Sequence, residues 1–273
     1  MSLTEQDQYV LGYRSEEQRR LQRQAEELAA ESHWLLDQLG DLVGSRIVEI
    51  GCGPRGCLDI LAARAGPSGS VVGVERSPEA VAMARQLLVE RNLANVEVLE
   101  RDARATGLPR ASFDVATSRL VLVNIPRPEE VVAEAVALVR PGGWLAFHEA
   151  DYVSLVCDPP LKAWTALVDL IVAYSERNGI DPFVGRKLPR LLREAGVSEV
   201  VTKPIIRTYP AGHPRRRLLL DFADNLTTRV LAQGLVSEPD LAEMKSALAQ
   251  HLDDPDTFVV SHLGIQAWGR SPA

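Results

Sequence analysis

The sequence predicts an α/β fold: a parallel sheet covered by helices on both faces. Two observations carry the prediction. Between residues 46 and 150, short apolar runs alternate with segments of helical periodicity, the pattern of strands joined by crossover helices. The first run leads straight into a glycine-rich turn and then a helix, VEIGCGPRG at 48–56, the local order in which an open α/β sheet binds a ligand at the carboxyl ends of its strands.

The elements follow in order. Residues 15–39 read as one charged amphipathic helix, with Leu21, Leu28, Leu35 and Leu39 as its apolar stripe. Ser15 before two glutamates caps it, and Gly40 and Gly44 end it. RIVEI (46–50) is a buried strand, and PRGCLDILAARAG (54–66) a helix opened by Pro54 and closed by Gly66. SVVGVE (70–75) is a second strand, and Ser77-Pro78-Glu79 starts a helix that runs to about Asn92. VEVLERD (96–102) and FDVATSR (113–119) are the third and fourth strands. A helix over 128–140 is stopped by Pro141-Gly142-Gly143, and WLAFHEAD (144–151) is the fifth strand. The second half is less regular: helices over 158–178, 187–196, 214–232 and 237–252, a strand over 198–208 and a terminal strand over 258–269. No repeat or low-complexity tract interrupts the chain, so one domain carries helical additions.

Composition narrows the function. A net charge of −7 over 273 residues disfavours a nucleic-acid partner, whose phosphates call for a basic face. The basic run Arg215-Arg216-Arg217 reads as a solvated helix start, with a phosphate contact as the alternative. Three cysteines, two of them (Cys52 and Cys57) flanking the glycine turn, make neither a disulfide framework nor a metal motif and fit a reduced, cytoplasmic setting. The first thirty residues carry no apolar signal core, and no run of about 18 apolar residues occurs, so neither export nor a membrane span is expected.

The glycine turn fits G-x-G-x-x-G at Gly51, Gly53 and Gly56, and Glu75 ends the next strand 24 residues after Gly51. Bare backbone lets a ligand approach, the helix start offers N–H groups, and an acid in that place accepts from both hydroxyls of a ribose. The ligand is therefore a dinucleotide or S-adenosylmethionine; without Gly-Lys-Ser/Thr it is no P-loop.

Later segments add a resemblance. VEIGCGPRG (48–56), VVGVERSPEAVAMAR (71–85), LERDA (99–103), FDVATSRLVLVNI (113–125) and LVRPGGWLAFHEAD (138–151) together resemble class I S-adenosylmethionine-dependent methyltransferases, in the small-molecule branch of ubiquinone/menaquinone-type and natural-product enzymes. Tyr9-Val10-Leu11-Gly12 and Arg20-Leu21-Gln22-Arg23-Gln24 are similar to that branch's N-terminal segments. The resemblance implies a Rossmann-like, seven-stranded, mostly parallel sheet whose antiparallel last strand inserts between two parallel ones. It also implies an N-terminal helical cap (1–45) on a cofactor-binding domain (46–273), with helical lid insertions at about 152–185 and 213–252.

Carried onto this sequence, the cofactor-binding set is Tyr9, Gln24, Glu49, Gly51, Gly53, Glu75, Arg76, Asp102, Ala103, Arg119 and Leu120. Asp102 would accept from the adenine amino group, the Ala103 N–H would meet a ring nitrogen, and Tyr9 and Gln24 would close over the site. Glu49 either orders the loop or meets the cofactor ammonium indirectly. A loop acid suits a cationic sulfonium ligand better than a pyrophosphate.

At the end of the fifth strand His148, Glu149 and Asp151 form a candidate catalytic cluster, with His148 as proton acceptor or, alternatively, as a structural residue. No metal is expected, because Ser118 stands where the magnesium-dependent catechol-type pattern places an aspartate. Trp164, Tyr174, Phe183 and Phe222 either line an acceptor pocket or belong to the core. Ser118-Arg119-Leu120-Val121 lacks the Asn/Asp-Pro-Pro-Tyr of base and glutamine N-methylation. The expected partner is a small, largely apolar acceptor, aromatic or natural-product-like, with S-adenosylhomocysteine as the second product. The N-terminal helix is a possible homo-oligomer contact. A nicotinamide oxidoreductase and a non-methylating protein on the same fold remain alternatives.

Overall fold

The structure, a computed structural model, describes residues 15–152 and 155–273, with the side chains of 15–19 also outside the description. Tyr9 lies outside the described residues.

The sheet is built from β1 (Arg46–Ile50), β2 (Ser70–Glu75), β3 (Val96–Glu100), β4 (Phe113–Arg119), β5 (Val139–Asp151), β7 (Ser198–Ile205) and β9 (Leu263–Arg270). Their order is β3-β2-β1-β4-β5-β9-β7. β1 pairs in parallel with both β2 and β4, and β4 with β5. β9 runs antiparallel to both of its neighbours, β5 and β7. The seven-stranded, mostly parallel sheet with an inserted antiparallel strand is thus the one the resemblance implies. The order reverses between β1 and β4, and their carboxyl ends open the crevice in which such sheets bind ligands.

β1 is central and apolar because both of its faces are covered. Ile47 packs into the cluster with α2 (Ala29–Asp37) and α3 (Leu58–Ala65), while Val48 and Ile50 pack into the larger cluster of α5 (Pro128–Leu138), α6 (Lys162–Arg177) and α7 (Val184–Glu194). The period-two alternation of a strand sends successive side chains to opposite faces. α4 (Pro78–Glu90) starts as expected, with Ser77 Oγ accepting the Ala80 N–H. α8 (Leu218–Ala232) and α9 (Glu238–Asp253) pack with α6 as the helical addition.

Four expectations change. The first helix divides at Leu28 into α1 (Ser15–Glu27) and α2; the Leu28 carbonyl accepts from Ser32 Oγ as well as from the Ser32 N–H, and such side-chain competition loosens a helix. Pro141-Gly142-Gly143 lies inside β5 as a bulge, where the register jumps from Phe113–Val139 to Val115–Trp144. The terminal strand breaks in two: β8 (Phe258–Val260) leaves the main sheet and pairs with the unanticipated β6 (Val156–Asp158).

The fourth concerns Arg215 and Arg216, which are buried rather than solvated. Arg216 donates to the Leu252 and Asp254 carbonyls at 2.7 and 2.6 Å, satisfying the end of α9, and Arg215 pairs with Glu27 of α1 at 2.5 Å. Charge runs normally mark solvated faces, but here orphan helix carbonyls and the half-buried Glu27 draw the guanidinium groups inward. Among the described residues no helix is long and apolar enough to cross a membrane.

α7 touches β5 through Gly185, where a methyl group would come within 2.6 Å of the Ala150 carbonyl oxygen. Gly185→Ala is expected to push the helix off the sheet and cost about 1–3 kcal/mol in urea unfolding. An unchanged midpoint would show that the contact yields freely.

Candidate functional site

The glycine turn is built around a buried carboxylate. Glu49, the fourth residue of β1, lies beneath the turn with both oxygens accepting the Cys57 N–H, at 2.8 and 2.9 Å. Gly56 stands at φ +54°, and a methyl there would lie 2.6 Å from each Glu49 oxygen and 2.7 Å from the Cys52 carbonyl. This packing delays the helix: α3 begins at Leu58, not at Pro54. Arg119 closes the arrangement by donating to the Gly56 carbonyl at 2.9 Å and to Ser32 Oγ at 2.8 Å. Burial raises the Glu49 pKa to about 7, against the pull of Arg119. At Gly53, by contrast, φ is +57° and nothing lies within 4 Å of where a side chain would start.

Glu75 ends β2 and faces that open space. Its carboxylate accepts from Gly53 N–H at 2.9 Å and from the N–H groups of Arg76 and Ser77, each at 2.8 Å. Burial raises its pKa while those donors hold it down. Asp102 follows β3 and is gripped by its own neighbour: Arg104 donates from its backbone and Nε to Oδ1 and from Nη2 to Oδ2, at 2.9, 3.1 and 2.9 Å. The Arg104 hydrogen bonds hold the Asp102 carboxyl below its ordinary value.

The turn after β4 carries backbone strain. Leu120 is at φ +56°, a conformation that costs a branched side chain about 1–3 kcal/mol. It is held from both sides. The Leu120 N–H donates to the His148 carbonyl at 2.8 Å. Beyond it the N–H groups of Val121, Leu122 and Val123 all donate to the buried carboxylate of Glu149, at 3.0, 3.0 and 3.2 Å. Burial raises the Glu149 pKa to about 7, with the three N–H groups opposing.

One cavity gathers most of the expected cofactor set: Gln24, Gly51 and Gly53, Glu75 and Arg76, Asp102 and Ala103, Arg119 and Leu120 all line it. Glu49 does not; it shapes the turn from below. The catalytic expectation is corrected, since His148, Glu149 and Asp151 are buried and none lines the cavity. Glu149 is committed to the turn, and Asp151 is ion-paired with Arg186, whose Nη2 lies 2.8 Å from Oδ1. His148 faces a separate small void beside Ser118 and Gln266, and its pKa falls to about 3 through burial and the charge of Arg119.

Of the four aromatics proposed for the acceptor pocket, Phe222 alone lines the cavity; Trp164 and Tyr174 are core, and Phe183 lies apart from it under Arg186. Arg20, Tyr152 and His262 also line it and were not anticipated. For His262 a signal existed: an antiparallel last strand enters the sheet at the carboxyl edge of its neighbour, so the residue before it arrives at the site. Among the described residues, no group of three metal-binding side chains occurs.

This crevice also coincides with a known family. The stretch 48–147 matches the family described as a methyltransferase domain. An uncharacterised 37.1 kDa protein in transposon Tn4556 of Streptomyces fradiae is 35% identical over 176 residues, 64% of this chain and 50% of that protein. Aklanonic acid methyltransferase of Streptomyces sp. strain C5 is 31% identical over 113 residues, 41% of this chain and 51% of that one. The chain thus spans about half the length of these curated relatives. Phosphoethanolamine N-methyltransferase 2 of Haemonchus contortus, solved with phosphomonomethylethanolamine and S-adenosylhomocysteine, superposes with a TM-score of 0.58 at 16% identity, covering 89% of this chain and 53% of that one. At that identity the likeness is one of fold.

Glu149 gives a signed test. Its folded pKa of about 7 stands above the ordinary 4.5, so its contribution to stability is full below about 4.5 and is lost as pH rises towards 7. Glu49 acts in the same direction. His148 and His262, lowered to about 3 and 4, act in the opposite one: their contribution is present above 6.5 and lost as pH falls. Glu149→Gln removes a single component of this balance. The variant is expected to be less stable than the parent, with a gap that narrows by about 2 kcal/mol between pH 5 and 7.5 in urea unfolding. A gap that does not change with pH would place the Glu149 pKa near its ordinary value.

Proposed function

We propose that the protein transfers the methyl group of S-adenosylmethionine to a small acceptor. One observation carries the choice of ligand. The N–H at the start of α3, which a dinucleotide would use for its pyrophosphate, is already taken by the Glu49 carboxylate. A buried acid under the turn repels phosphate and tolerates a cation. The match of 48–147 to a methyltransferase domain supports the same reading.

The residues present fit such a ligand. Gly53 leaves space against bare backbone, and Glu75, fixed by three N–H groups, holds acceptor oxygens beside that space for ribose hydroxyls. Asp102 and Ala103 suit the adenine edge, with Arg104 sharing the Asp102 carboxylate. Gly51, Arg76, Arg119 and Leu120 complete the wall, and Gln24 of α1 closes the side. When bound, S-adenosylmethionine supplies a methyl group on a sulfonium, already a good leaving group. The chain's own work is to orient and to exclude water. Phe222 and Tyr152 provide the apolar end for a small, aromatic or natural-product-like acceptor.

Calorimetric titration tests this reading. S-adenosylhomocysteine is expected to bind in the micromolar range and NAD(H) not at all. Glu75→Ala is expected to weaken the former at least about tenfold, the worth of a lost charge-assisted hydrogen bond. Gly53→Ala meets no protein atom; it is expected to cost about 1 kcal/mol of stability from its left-handed backbone and to lower that affinity as well. Binding of NAD(H) alone would replace the proposal with the oxidoreductase.

A further inference from the structure

The cavity wall away from the glycine turn is made by Arg20 of α1, Tyr152 after β5, Phe222 of α8 and His262 before β9. Tyr152 stands edge-on to two rings: Phe222 at 5.9 Å and 69°, and His262 at 5.7 Å and 87°. The Arg20 guanidinium lies 5.7 Å from the centre of the Phe222 ring. Three rings and a cation make an apolar slot with one positive side.

His262 is the unusual member. Its Nδ1 is enclosed and has no hydrogen-bond partner, and no described residue bonds the other ring nitrogen. Nδ1 is enclosed, whereas Nε2 is not among the enclosed unpaired atoms, and the ring lines the cavity, so a hydrogen-bonding group that enters there can reach the ring only at Nε2.

We propose that His262 determines acceptor specificity, its Nε2 hydrogen-bonding the acidic hydroxyl of a flat aromatic acceptor packed against Tyr152 and Phe222. The inference rests on the cofactor reading above, which fills the other end of the same cavity.

The charges around the ring select the chemistry. Burial, Arg215 of the turn before α8 and Arg20 of α1 push the His262 pKa down to about 4, and Asp151 of β5 opposes them. The imidazole is therefore neutral near pH 7. A neutral imidazole serves either form of such an acceptor: it accepts from a hydroxyl, and in the other tautomer it donates to the oxyanion. Arg20 on the cavity wall is the cation that favours an oxyanion there over a protonated amine.

The test uses the protein saturated with S-adenosylhomocysteine and two probes, 4-nitrophenol and nitrobenzene, which differ by one hydroxyl. The phenol is expected to bind about tenfold more tightly, the worth of one buried hydrogen bond. His262→Phe is expected to abolish that preference and His262→Gln to restore part of it, both with unchanged affinity for S-adenosylhomocysteine, which also reports that the variants are folded. Equal binding of the two probes to the parent protein, or a preference that survives in His262→Phe, would overturn the assignment. Failure of the parent to bind S-adenosylhomocysteine would be read in the first titration and would overturn the cofactor reading and the acceptor site together.

Discussion

Turns at the carboxyl edge of the sheet leave backbone N–H groups inside the protein, and the rest of the site depends on how they are satisfied. Three glutamates do it. Glu49 takes the N–H of Cys57, Glu75 those of Gly53, Arg76 and Ser77, and Glu149 those of Val121, Leu122 and Val123. Each lies at or near the end of a strand, so the sheet fixes the carboxylate and the carboxylate fixes a loop. An unpaired N–H in these places would cost about as much as a lost hydrogen bond, and three such losses would rival a fair part of a domain's stability.

The three acids are alike in the sequence and unlike in their work. Glu75 alone lines the cavity; Glu49 and Glu149 act one layer below, and burial raises the pKa of both to about 7. The strain at Leu120 belongs to the same economy of positions. A left-handed residue persists because its neighbours are bonded on both sides, and it turns the chain after β4 sharply enough for Val121 to pack against Gly51 across the crevice. The turn after β1 and the turn after β4 therefore set each other's shape.

This explains what was legible beforehand. Strand and helix order from 46 to 150 follows from periodicity and caps, and the cavity wall by the glycine turn follows from glycines and acids at strand ends, because those features are local. What failed was not local. Arginines drawn inward by the end of α9 and by Glu27, and a terminal strand split between two sheets, depend on partners far along the chain; the helix broken at Leu28 by Ser32 is the local exception. The expected cluster at the end of β5 is turned away from the cavity for the same reason: the neighbours of His148, Glu149 and Asp151 come from β9, the turn after β4 and α7.

The two histidines make the point sharply. His148 and His262 lie on adjacent strands or at their ends, both are held neutral by burial, and both have an unpartnered Nδ1. His148 pairs in register with Gln266, three residues into β9 from Leu263, and looks into a void beside Ser118. His262 precedes the strand, where the sheet no longer dictates which way a side chain faces, and so it reaches the cavity. Antiparallel insertion of β9 brings that strand's beginning, not its end, to the crevice. The cavity wall away from the glycine turn is thereby assembled from segments distant in sequence, α1, the end of β5, α8 and the approach to β9, whereas the opposite wall comes from the glycine turn, Glu75 and the sheet that carries them.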